Sequence, residues 1–167
     1  MRPFAVTVAL FAAALALPAP AAAFDRAQWS FGQASTGTWY LRCRAAACGG
    51  DSIASYRVQK PRLYASLEAY AQSRPARVTT LREVLGSIMS DGKPNRRRHG
   101  AYTEYWVESS VVSRQGGHEA YISGVLVGDR LSYTIVSSAH DADRARRHYR
   151  ELSDALAAGR PPLDDAI

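Results

Sequence analysis

The sequence predicts an α+β domain: an antiparallel sheet of about five strands, an N-terminal hairpin plus a C-terminal three-strand meander, covered by two or three helices. Three observations predict it. Two β-prone runs flank a glycine pair near the N-terminus; three more, joined by turns too short for crossovers, follow after residue 100. Three other segments each carry one apolar stripe at helical spacing, and such a stripe has to bury itself against a sheet.

In chain order, residues 1–23 read MRPFAVTVALFAAALALPAPAAA: a basic start, a short apolar middle, Pro18 and Pro20, then small residues up to Ala23. This is the layout of a secretory signal peptide. The apolar part, Phe4 to Leu17, is shorter than the roughly 20 residues that cross a bilayer as a helix. The mature chain is expected to start near Phe24 and to carry no transmembrane segment. It would form one globular domain over 24–158 and a flexible C-terminal tail over 159–167.

The hairpin is expected from TWYLRCR (38–44) and SIASYRVQ (52–59), with Gly49 and Gly50 in the tip between them. Pro61 suits a first helical turn, and Leu63, Tyr64, Leu67, Tyr70 and Ala71 recur at helical spacing, so a helix is predicted over 61–73 and ended by Arg74-Pro75. A second helix is expected at about 80–90, with Thr80 and Glu83 at capping-box spacing and Leu81, Val84, Leu85 and Ile88 as its stripe. After the loop DGKPNRRRHG come the meander strands at 101–113, 118–127 and 130–138. On the first of them Tyr102 and Trp106 share a face and Tyr105 points the other way. Asp141 is placed to cap a last helix whose buried face is Ala145, Tyr149, Leu152 and Leu156.

The chain has 21 Lys and Arg against 15 Asp and Glu, and only Arg2 of these lies in the signal. The mature balance is therefore +5, almost all of it arginine. An exported basic domain is suited to an envelope protein or an anionic surface. Export argues against a nucleic-acid partner. The densest charge is Arg96, Arg97 and Arg98, which could grip a phosphate or carboxylate by forked hydrogen bonds, or could merely hydrate a loop.

Cys43 and Cys48 are the only cysteines. No histidine follows Cys48 as haem attachment requires, four residues separate the pair where a thioredoxin-type centre has two, and the histidines are scattered. In an exported chain the simplest use of two thiols is one disulfide, Cys43–Cys48, across the hairpin tip. No catalytic, cofactor or metal residues are assigned. There is no G-x-S-x-G, and Ser123, His118 and Asp129 are the kind of trio that any chain of this size contains. His118 and His140 read as solvated ends of elements.

The order of an early hairpin, helices, the segment EAYISGVLVGDRLSYTIVSSAHDADRARRHYRELSDAL and a closing helix resembles the PsbP-like α/β/α sandwich. That resemblance implies a fold used for docking to larger assemblies, with no catalytic residues to carry over. Locally, TGTWYLRCRAAACGG is similar to the opening of invasion-associated locus B proteins, which are exported and disulfide-bonded. That family has a further cysteine pair and is mostly β, and this chain has neither such a pair nor an all-β pattern. The expected function is a non-enzymatic periplasmic or secreted protein that binds a protein or anionic envelope partner. The alternatives are a small-ligand carrier with a pocket between sheet and helices, or a hydrolase without a recognised motif.

Overall fold

A computed structural model describes residues 24–85, 88–112 and 117–162. The expected signal peptide lies outside the described residues, as does most of the expected tail. In chain order the elements are β1 Trp29–Gln33, β2 Trp39–Cys43, β3 Ile53–Gln59, α1 Leu67–Gln72, α2 Arg74–Leu85, β4 Ile88–Asp91, β5 Asn95–His99, β6 Tyr102–Val112, β7 His118–Val127, β8 Ser132–Ala139 and α3 Ala142–Ala157. A single 3-10 turn, Ala46–Cys48, fills the tip between β2 and β3.

The strands make one eight-stranded antiparallel sheet in the order β1-β2-β3-β8-β7-β6-β4, with β5 beside β4 on the same side of β6. This overturns the expected sheet of about five strands covered by two or three helices: the sheet has eight strands and dominates, and α1 has only 6 residues. The hairpin and the meander both form, and β3 joins them by pairing with β8 from Ile53↔Ser138 to Gln59↔Ser132.

The three additional strands have physical explanations. In β1, WSFGQ, two rings alternate with small residues, but five residues give little periodicity, and pairing to β2 from Trp29↔Cys43 to Gln33↔Trp39 decides the matter. Ile88, expected on a helix, begins β4 and pairs with Val111. Asn95–His99, expected as a solvated loop, is β5, held in register from Asn95↔Trp106 to His99↔Tyr102. A run of arginines has no hydropathic alternation, so its strand character comes from the neighbour that pairs with it.

The helices also shift. Residues 61–66 are turns, and Ser66 caps α1 by accepting from the Ala69 N–H at 3.2 Å. Pro75, expected as a stop, instead stands in the first turn of α2, where its missing N–H costs nothing. Thr80 consequently lies inside α2 rather than at its start. α3 follows expectation: Asp141 accepts from the Asp143 N–H at 2.9 Å, and Ala145, Tyr149, Leu152 and Leu156 are buried.

The strand alternation divides the core between two faces. On one face α3 packs over Leu41, Ala54, Ile122, Leu126 and Ile135, with Tyr102 and Trp106 at the margin. On the other, Tyr70 of α1 stacks on Tyr105 of β6 at 5.8 Å between ring centres, beside Val107 and Val125. Below it, the buried Arg74 donates to the Ser123 hydroxyl at 2.8 Å and to Asp91, which fastens the start of α2 to the sheet. Gly124 faces α3, and a side chain there would strike the Tyr149 hydroxyl and the Tyr105 carbonyl. The glycine is what lets the Tyr149 hydroxyl come this close to β7.

Candidate binding cleft

β5, β6 and α3 enclose an open cleft of about 90 Å³, lined by Arg97, Glu104, Trp106, Glu108, Arg146 and Tyr149, with Ile122 and Arg150 completing the wall. Alternation on β6 puts Glu104, Trp106 and Glu108 in one row under α3. Two acids at inward positions of a strand need partners, because an unpaired buried carboxylate is costly. Glu104, fully buried, receives a charge-assisted bond from Arg97 directly across the β5–β6 pair, and a bond from the Ser153 hydroxyl at 2.7 Å. Glu108 takes a fork from Arg146 of α3, Nε at 3.1 Å and a terminal nitrogen at 2.8 Å. That fork holds the Glu108 carboxyl below the usual range.

Burial alone would lower the Arg97 pKa, but the bond and charge of Glu104 outweigh it, so the guanidinium stays firmly charged. Its carbon also lies 5.9 Å from the Trp106 ring centre, within cation-π range. Tyr149 is driven well above its ordinary pKa, first by burial and then by the charge of Glu104, so its hydroxyl keeps its proton. The cleft is thus an aromatic floor between two ion pairs. Its volume is well below the roughly 300–1,000 Å³ of pockets that bury drug-sized ligands, and suits one small group presented from outside.

The three predicted anion-contact residues do not converge. Arg97 points toward α3 and is committed to Glu104 and Asp154, whereas Arg96 and Arg98 lie on the opposite face. Arg96 is close enough to Glu68 of α1 to help lower its pKa, after the bonds to that carboxyl from its own backbone N–H and from Ser66. Arg98 donates to the Gly100 carbonyl at 3.2 Å. Across the cleft, Arg150 is exposed and forms no ion pair among the described residues.

Residues for hydrolysis are likewise separated. His118 and Asp129 flank opposite ends of β7, and the Ser123 hydroxyl is buried against Arg74. Sequence reading missed a closer trio: Ser153 Oγ is 3.4 Å from His99 Nδ1, and His99 Nε2 is 3.2 Å from Asp154. Its order imitates a nucleophile, base and acid, but Ser153 is fully buried and gives its proton to Glu104. A hydroxyl without access to substrate is a structural donor. The separation of three and four residues among Arg150, Ser153 and Asp154 on α3, matched with inward acids on β6, was the available sequence signal.

At the far end of the sheet, Cys43 and Cys48 form the disulfide. Both are buried, at 3% and 6% exposure, within the core that includes Trp29 and Leu41. The tip is also docked onto α3: Gly49 has a left-handed φ of 103°, and Arg144 packs where a side chain would stand and donates to its carbonyl at 3.3 Å. A buried bond clasped by an arginine is a staple, poorly placed for thiol exchange.

No helix among the described residues is long and apolar enough to cross a membrane. No family model and no curated protein matches the chain.

Proposed function

We propose that this chain is an exported, periplasmic or secreted, non-catalytic domain that binds an acidic protein partner through surface arginines. The observation that carries this reading is how the charges are distributed. Asp91, Glu104, Glu108, Asp129, Asp143 and Asp154 are each held by an arginine of the same molecule. Arg26, Arg42, Arg44, Arg57, Arg130 and Arg150 are exposed and form no ion pair among the described residues. Six acids are paired within the molecule, and basic residues outnumber acids over the whole chain, so the remaining arginines are displayed outward as unpaired guanidinium groups, the side chain best suited to bidentate carboxylate contacts. The buried disulfide fits an oxidising compartment. Helices stand on both faces of the sheet, as in the PsbP-like sandwich that the sequence resembles, and it is that resemblance that implies docking.

Immobilised polyglutamate tests the reading. The purified residues 24–167 should be retained at low salt and released as the Debye length falls to about 8 Å near 0.15 M. Failure to bind at low salt, or binding indifferent to salt, would contradict it. Binding to anionic lipid vesicles with none to polyglutamate would move the partner from protein to membrane.

A further inference from the structure

We propose that the outer edge of β1 is the docking site, where an extended acidic segment of a partner protein adds as a ninth strand. This rests on the acidic-partner reading above and specifies its surface.

The register shows which backbone groups are free. Arg44 N–H bonds to the Gln28 carbonyl at 2.7 Å and Ala34 N–H to the Thr38 carbonyl at 2.9 Å, both in line with the Trp29↔Cys43 register. Hydrogen-bonded pairs alternate along an antiparallel ladder, so Ser30 and Gly32 also bond inward to β2. Phe31 and Gln33 therefore turn both their N–H and C=O outward, together with the Trp29 carbonyl; the Trp29 N–H is already satisfied by Asp25 at 2.9 Å. β1 ends the sheet, and among the described residues no strand pairs with its outer side.

Edges of this kind are usually blunted by charge, proline or a break. β1 has none of these: WSFGQ is uncharged. Its surroundings are basic, because residues 24–44 contain Arg26, Arg42 and Arg44 against the single acid Asp25, whose carboxylate accepts from the Ala27 N–H at 2.9 Å. Arg26 lies over the Phe31 ring at 5.9 Å. On the face away from α3, Ser30 and Gly32 stand low in front of Arg42 and the exposed Tyr40. Strands are spaced about 4.8 Å apart, so β2 is about 10 Å from an added strand. A glutamate on that face can reach across Ser30 to Arg42. Main-chain bonds would provide affinity and the arginines the preference for acidic side chains.

A fluorescent alternating Glu-Val octapeptide is the probe, titrated into the purified residues 24–167. The expected result is salt-dependent binding, with hydrogen-exchange protection appearing at the Phe31 and Gln33 amides. Gln33→Pro removes an outward donor from an exposed edge position where proline is tolerated. It should weaken binding at least tenfold with an unchanged melting temperature. The same peptide N-methylated on alternate residues should bind the unaltered protein equally poorly, which tests the edge without any variant. If the N-methylated peptide binds as well as the parent, or protection appears elsewhere, the edge site is wrong. In that event, continued retention on polyglutamate would leave the acidic-partner reading standing, and loss of retention would remove both.

Discussion

The two edges of the sheet are built from the same kind of chain and solve opposite problems. At one edge, β4 and β5 lie end to end along β6, with Pro94 between them and three arginines in β5. One of those arginines is folded under α3 onto Glu104, and the other two charge the strand on its outer face. At the other edge, β1 is unbroken and neutral, and its arginines stand unpaired beside it. A cation placed opposite a buried acid stabilises the fold, whereas one left over at a free strand is available to a partner. The sign of the charge is the same in both places; burial of the counter-ion makes the difference.

The largest test of that contrast is Arg97→Ala, which leaves the buried Glu104 carboxylate without its cation. Removing one member of such a pair should cost about 3 kcal/mol, seen as a lower urea midpoint. Arg42→Glu together with Arg44→Glu should leave the midpoint within about 0.5 kcal/mol and abolish retention on polyglutamate. If both variants lost stability equally, the edges would not differ as described.

Next is the staple beside β1. Cys43→Ser with Cys48→Ser opens a loop with a sequence separation of 5, for which chain entropy gives about 2 kcal/mol. Hydrogen exchange should rise first at β1 and β2, and change least at β5.

His148 provides a pH test of the same end. It is 3% exposed, packs edge-on against Trp29 of β1, and its pKa is pushed down to about 4, first by burial and then by Arg147 and Arg144. The unfolded histidine takes its proton near pH 6.5 while the folded one resists to about 4, so the unfolded state binds more protons between those values. Stability present above pH 6.5 should therefore fall by about 2 kcal/mol as the pH drops toward 4. His148→Phe should flatten this slope in acid urea titrations. The smallest effect should come from Arg96→Ser and Arg98→Ser, each within about 0.5 kcal/mol by thermal melting.

The sequence made some of this plain. The hairpin, the meander and α3 were readable because glycine turns, ring alternation and a capped apolar stripe are local signals. The disulfide followed from two cysteines at one tip and an apparent export signal. β5 was not readable, since its strand state depends on Glu104 and Tyr102 across the pair, and β1 was too short for its alternation to stand out. The cleft was hidden for a related reason: Glu104 and Arg146 are distant in sequence and meet only when α3 crosses β6. Arg97 could be singled out from Arg96 and Arg98 only once a strand assigned alternate sides to the run.

The most direct measurement is an amide map of the acidic peptide bound to residues 24–167. Protection and shift changes should centre on Phe31 and Gln33, extend to Arg42, and spare Asn95–His99 and the α3 cleft. Changes centred on Arg97, Trp106 and Arg150, with β1 unaffected, would contradict the edge site.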